Sequence, residues 1–316
     1  MDLSVIVPVY NEQDNVGRLC AAIAKALRSS GLTYEVLLVD DGSKDETFKR
    51  AVELLGEHPE VRVVRLRRNC GQTPAMAAGI EHARGDVLVT MDGDLQNDPE
   101  DIPIFIEKIN EGYDLVVGWR HDRKDKLITR KIPSRIANWL IGKVTGVAIK
   151  DNGCSLKAFR ASVIKRVPLY SEMHRFIPAM ASLAGPRLAE IKVRHHPRQY
   201  GKSKYGLSRT YKVLLDLFAV KTIIGFSARP LAWFVAPALL SLLISGVCLG
   251  LSFYNAFASD RFVDTTTAGV GVLFGALAVF LVMTGIIAEL VYKTGEYRLE
   301  HVAVPASVEN RLRGEG

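Results

Sequence analysis

The sequence predicts an α/β fold built on a mostly parallel sheet, followed by two helices that cross a membrane. Three observations carry that reading. Short apolar runs at residues 3–9, 36–39, 61–66, 86–91 and 115–118 alternate with stretches of helical spacing, the pattern of βαβ units. The runs are continuously apolar, as strands covered on both faces are. Beyond residue 230 stand two uncharged stretches, 231–258 and 265–288, each longer than the ~20 residues that cross a hydrocarbon core of about 30 Å.

The first run closes at Pro8 and leads into Tyr10-Asn11-Glu12. Val16, Leu19, Ala22, Ile23, Ala26 and Leu27 follow at helical spacing, and Gly31 stops that helix. The second run ends in Asp40-Asp41-Gly42-Ser43, with Ser43 placed to cap a helix running through Thr47 and Phe48 to Leu55. After the third run Thr73-Pro74 opens a helix that ends at Gly85. The fourth ends in Asp92-Gly93-Asp94, and Pro99-Glu100 starts the next helix. Past the fifth run, Asp151-Asn152-Gly153-Cys154 is a polar turn, and the stretch to Phe159 reads as an edge strand.

Composition narrows the function. At 316 residues the chain holds one large α/β domain and something smaller. A net charge of +7 suits nucleic acid, anionic lipid or phosphorylated substrates. No RNA-binding motif or Lys/Arg-rich arm is present, so nucleic acid is not an expected partner. Cys20, Cys70, Cys154 and Cys248 are scattered without a CxxC pair, which argues for a reduced, cytosol-facing protein with neither disulfides nor zinc. The chain enters a strand at once, so no signal peptide is expected. Val9-Tyr10-Asn11-Glu12 stands where a dinucleotide fold carries GxGxxG, and no GxxxxGK[ST] loop occurs.

Two strands thus end in paired acids at the sheet edge where open α/β folds bind ligands. Clustered carboxylates repel unless a cation lies between them, and hard oxygens suit Mg²⁺ or Mn²⁺ on a diphosphate. Asp40 can accept hydrogen bonds from a ribose or a base. Each pair can also be read as a solvated or capped turn; together at one edge they favour a nucleotide–metal cleft. Arg120 follows the fifth strand at that edge, where a guanidinium clamps phosphate, whereas residues 119–135 as a whole read as a charged loop. Arg194 to Lys204 forms a cationic, proline- and glycine-containing loop, fit for phosphate or for an anionic lipid surface.

The segments Val5-Ile6-Val7-Pro8-Val9-Tyr10-Asn11-Glu12, Val39-Asp40-Asp41-Gly42-Ser43 and Met91-Asp92-Gly93-Asp94-Leu95-Gln96 resemble the GT-A glycosyltransferases of family 2. The resemblance is to the branch that glycosylates polyprenyl phosphate, and its motifs run through most of residues 3–210. It implies a GT-A nucleotide-sugar-binding fold, a nucleotide diphosphate sugar donor (UDP-glucose or GDP-mannose type), a divalent metal and inversion at the anomeric carbon. Carried over by position, Pro8, Tyr10, Glu12, Asp40, Asp41, Asp92 and Asp94 line the donor site, and Asp94 and Gln96, with Asp92, hold the metal. Asp92 and Asp151 are the catalytic candidates. Arg120, Arg175, Arg198, Lys202 and Ser203 contact the acceptor or the phosphates, and His174 has a structural reading as well as a catalytic one. Asp151 is a turn former, a base or an orienting group. A phosphate monoester has a second pKa near roughly 6, so its oxygen is already mostly ionised and orienting adds more than proton removal.

The chain divides into a catalytic domain at 1–207, a juxtamembrane segment at 208–230, a two-helix hairpin at 231–292 and a tail at 293–316. Arg209, Lys212 and Asp216 form a polar stripe on 208–225, as on a helix lying in the membrane interface; a core helix is the other reading. Lys221 and Arg229 precede the hairpin and Lys293 and Arg298 follow it, which places both ends, and the catalytic domain, on the cytoplasmic side, with a bacterial inner membrane the expected seat. Glu289 is expected at the interface. A small homo-oligomer is the family-based expectation. The remaining alternatives are a different lipid or polysaccharide acceptor, although the Gln-x-x-Arg-Trp motif of processive synthases is missing, and a non-catalytic nucleotide-binding assembly protein.

Overall fold

The computed structural model describes residues 1–121, 138–139, 141–143, 145–167, 169, 176–181, 185–197, 218–219, 221–222, 225–226, 229–257 and 264–294. They fall into two compact units, one ending at Val220 and one beginning at Lys221.

The first unit is a seven-stranded sheet, in the order β3-β2-β1-β4-β6-β5-β7, between helical layers. In chain order it runs β1 (Leu3–Val9), α1 (Val16–Leu27), β2 (Tyr34–Asp40), α2 (Thr47–Glu53), β3 (Val61–Arg65), α3 (Gln72–His82), β4 (Val87–Thr90), α4 (Ile102–Asn110), β5 (Leu115–Trp119), β6 (Lys157–Arg160), α5 (Ala161–Ile164), α6 (Ile177–Ala181) and β7 (Leu188–Lys192). Alternate side chains of the central strands feed opposite cores. Val5, Val7, Val36 and Leu38 pack with α1 and α4 through Leu19, Ile23, Phe105 and Ile109. Ile6, Leu37, Val39 and Leu88 pack with α3 through Ala75, Met76 and Ile80. Period-2 alternation across a sheet covered on both sides explains the continuous apolar runs.

Two expectations are corrected. The strand after the Asp151 turn is interior: β6 runs antiparallel between β4 and β5, with Thr90 and Val117 both opposite Lys157. A short apolar run signals burial but not direction, and here the chain returns through the sheet beside its own departure point. Ser43 does not cap α2. Its Oγ accepts the Asn11 N–H at 2.9 Å, and Asp45 Oδ1 accepts the Thr47 N–H at the helix start.

One rim therefore gathers the carboxyl ends of β1, β2, β4, β5 and β7 and the amino end of β6.

The second unit contains α7 (Pro230–Phe257) and α8 (Thr265–Thr294), both long and apolar enough to cross a membrane. Ser245 Oγ donates to the Gly271 carbonyl at 2.7 Å, and a Cβ on Gly271 would sit 2.8 Å from Leu249 Cγ, so the helices meet through small residues. Glu289, expected at the interface, accepts the Leu231 N–H at the start of α7 at 3.1 Å. The juxtamembrane stripe of Arg209, Lys212 and Asp216 lies outside the described residues.

Candidate functional site

The turn after β4 brings two carboxylates to the rim. Asp92-Gly93-Asp94 passes so close to β1 that a Cβ on Gly93 would lie 2.8 Å from Val9 Cγ1 and 3.3 Å from the Pro8 carbonyl oxygen. Leu95 then takes a left-handed φ of 59°, and Asp94 Oδ1 accepts the Gln96 N–H at 3.1 Å. Asp92 Oδ1 accepts Gln72 Nε2, from the first residue of α3, at 2.6 Å. Burial and the charge of Asp94 raise the pKa of Asp92, opposed by Ser155, Arg120 and Lys157. Among the described residues no group of three or more His, Cys, Asp and Glu side chains forms a cation cage. The two acids are instead a partial set of hard, mutually repelling oxygens, which a divalent ion shared with a diphosphate fits.

The two acids after β2 have separate fates. Asp40 is fully buried; its Oδ1 accepts the Ser43 N–H, while Arg65 Nε lies 3.3 Å from Oδ2 without aligning for a hydrogen bond. Asp41 was expected beside the nucleotide. Its oxygens instead accept Cys70 N–H at 2.7 Å, Gly71 N–H at 2.9 Å and Asn69 Nδ2 at 2.8 Å, pinning the loop that leads into α3. Pro8 is paired in β1 with Val39. Tyr10 and Glu12 lie just beyond, where the Glu12 N–H donates to Thr47 Oγ1 and Glu12 Oε2 accepts Asn15 Nδ2.

Across the rim, Arg120 and Asp151 form a bidentate pair, Nε to Oδ2 at 2.7 Å and Nη2 to Oδ1 at 2.9 Å, with the Arg120 N–H also 3.3 Å from Oδ2. Burial would lower the guanidinium's pKa, but the hydrogen bonds and charge of Asp151 outweigh it and raise the value. Arg120, expected to clamp a phosphate, stands on a carboxylate that fixes its plane. Cys154, whose thiol burial pushes up to about 11, and Asn97, bonded by Ser155 Oγ at 2.8 Å, pack the turn from below.

Lys157 was not singled out from the sequence. It is 3% exposed and its ammonium donates to the Cys154 carbonyl; burial pushes its pKa down to about 8. The one available signal is a lone charge within the run from Leu156 to Phe159.

A strap from beyond β7 secures the far side of the Asp92–Asp94 turn. His195 bridges Asn97, the His196 N–H donates to the Gln96 carbonyl at 2.9 Å, and Gln96 Nε2 reaches the His196 carbonyl at 3.5 Å. Arg194 pairs with Asp98, Glu100 and Asp101, and His196 Nε2 lies 3.0 Å from Asp98. Arg175, Arg198, Lys202, Ser203 and His174 lie outside the described residues.

An α/β sheet with acids from two strand ends and an arginine at a third has the form of a ligand-binding α/β protein with its site at the carboxyl rim. The glycosyl transferase family 2 model matches residues 4–170, more than half of the chain, and the chain belongs to that family. A dodecaprenyl-phosphate galacturonate synthase of Rhizobium johnstonii is 45% identical over 304 residues, spanning 93% of this chain and 88% of that one. An undecaprenyl-phosphate 4-deoxy-4-formamido-L-arabinose transferase of Edwardsiella ictaluri is 44% identical over 225 residues, spanning 70% of this chain and 68% of the relative. Among solved structures, glucosyl-3-phosphoglycerate synthase of Mycobacterium tuberculosis, in complex with Mn²⁺, UDP and glucosyl-3-phosphoglycerate, superposes with a TM-score of 0.53 at 18% identity, over 70% of this chain and 78% of that one. The shared architecture is the GT-A fold.

Proposed function

We propose that this protein transfers a sugar from a nucleotide diphosphate donor to polyprenyl phosphate at a membrane surface. The observation that carries the reading is the placement of Asp40, Asp92, Asp94 and the Arg120–Asp151 pair on one rim of a chain that is 45% identical, over nearly its whole length, to a polyprenyl-phosphate sugar transferase. The related proteins are named for galacturonate and a formamido-arabinose, which favours a nucleotide diphosphate sugar of that class as the donor over the UDP-glucose or GDP-mannose expected from the sequence.

Asp40 receives the nucleoside, and Asp92 and Asp94, with Gln96, hold Mg²⁺ or Mn²⁺. That ion supplies neutralising charge for the departing diphosphate. Arg120 presents a fixed cation for the acceptor phosphate, and its orientation comes from Asp151. An acceptor already ionised at neutral pH needs alignment more than a base, and a carboxylate holding a guanidinium through both oxygens is a poor proton acceptor. Asp151 therefore serves as a positioning residue. The two apolar helices anchor the catalytic domain on the cytoplasmic face, following the positive charges at 221, 229, 293 and 298.

The test is incubation of membranes containing the protein with labelled nucleotide sugars and polyprenyl phosphate. Lipid-extractable label from one donor is expected, lost with chelator and reduced about a hundredfold or more in Asp92→Asn and Asp94→Asn. Wild-type turnover in both variants overturns the reading.

A further inference from the structure

Lys157 is a charge where the fold calls for an apolar side chain. It opens β6 in the middle of the sheet, opposite Thr90 and Val117, one pleat from Phe159, Leu88 and Leu115 in the core. Among the described residues its ammonium hydrogen-bonds only the Cys154 carbonyl, although an ammonium carries three donors. A neutral donor would hold that carbonyl equally well, so the hydrogen bond does not explain the charge. Asp92 and Asp151 attract it and Arg120 opposes it, while Asp94 repels Asp92 across the turn. Counted apart from Asp40 at the β2 end, the three carboxylates Asp92, Asp94 and Asp151 and the two cations Arg120 and Lys157 leave this part of the rim with one net negative charge.

We propose that Lys157, buried opposite Thr90 two residues before Asp92 and bonded to the Cys154 carbonyl of the Asp151 turn, is the fixed countercharge of this rim, a positioning residue that disfavours the bare cation and favours the diphosphate. It weakens the hold of Asp92 and Asp94 on a bare divalent ion, because a neighbouring positive charge repels that ion. Once the ion is bound the rim carries one net positive charge instead of none, and so holds a nucleoside diphosphate more firmly. The ion alone then stays only briefly, and the ion with its diphosphate stays long enough to react. The inference rests on the reading of Asp92 and Asp94 as cation ligands.

The test uses the full-length protein in detergent, with Mn²⁺ binding followed by electron paramagnetic resonance and UDP binding by calorimetry. In Lys157→Met, Mn²⁺ without UDP is expected to bind about tenfold tighter and UDP in the presence of Mn²⁺ about tenfold weaker. Lys157→Arg, which keeps the charge, stays within about threefold of wild type in both. A fold defect weakens both ligands together, so opposite movement is not a stability effect. Lys157→Gln repeats the measurement should the Met variant not fold. Unchanged affinities, or parallel losses in Met and Gln, overturn the proposal, as does folding of the Arg variant alone. Wild-type protein that binds no Mn²⁺ even with UDP overturns the metal reading itself, an outcome distinct from equal binding by wild type and variant.

Discussion

Arg120 and Asp151 illustrate how much a single buried pair decides. The side chains are 14% and 5% exposed, so removing one partner strands the other's charge away from water. Arg120→Ala should cost about 3–5 kcal/mol of stability, and the double Arg120→Ala/Asp151→Ala variant should be more stable than the single one, by chemical denaturation of the solubilised protein. Lys157 carries a signed pH effect. Its folded value of about 8 lies below the ordinary 10.5, so between those limits the unfolded chain binds more protons and stability rises with pH. Lys157→Met should therefore melt above wild type at pH 7, and the difference should shrink between pH 8 and 10.5. At this scale the sequence was a partial guide. The rim positions of Asp92, Asp94 and Asp40 were legible because each follows an apolar run, whereas the burial of Lys157 was not, because one charge inside a strand looks the same whether it faces solvent or the interior.

Elements position these residues through their connections. The turn at Gly42 has a φ of 66°, and a Cβ there would meet the Arg68 backbone carbon at 2.5 Å. Gly42→Ala should destabilise by about 3 kcal/mol or more and, on the proposed function, weaken nucleotide binding, since Asp40 and Asp41 immediately precede it. The strap holding the Asp92–Asp94 turn responds to acid. Burial alone would raise Asp98, but hydrogen bonds from His196 and the Glu100 N–H, with the charge of Arg194, lower it below 3.8. A depressed carboxyl contributes stability above its unfolded value that is lost as pH falls through the folded one. Amide exchange at Gln96 and His196 should accordingly accelerate below pH 3.8, and Asp98→Asn should show that faster exchange already at neutral pH. The first five strands were read to within two residues at each end, whereas β7 was not read at all. The antiparallel insertion of β6 was not read either, because periodicity reports which face is buried and is silent on neighbour and direction. Ser43 misled for a related reason: a cap is chosen by backbone geometry, and Asp45 was two residues nearer.

For the molecule as a whole, both hydrophobic cores are drawn from the first unit, and the paired helices lie in the second. A chain ending at residue 220 should bind UDP with Mn²⁺ within about threefold of the full protein and lose transfer to polyprenyl phosphate in vesicles, as sedimentation and lipid extraction would show. The apolar spans were plain in the sequence because membrane solvation demands an uninterrupted stretch that few other structures need.

The return of the chain through β6 has a wider consequence. The polypeptide leaves the sheet at Trp119 and re-enters at Lys157 on the same rim, between β4, which pairs with β1 on its other side, and β5, which pairs with β7. Its two ends are tied to each other rather than to the ladder alone: Arg120, just past the exit, holds Asp151, six residues before re-entry, through both carboxylate oxygens, so the excursion closes at its own base and a change at either end is felt at the other.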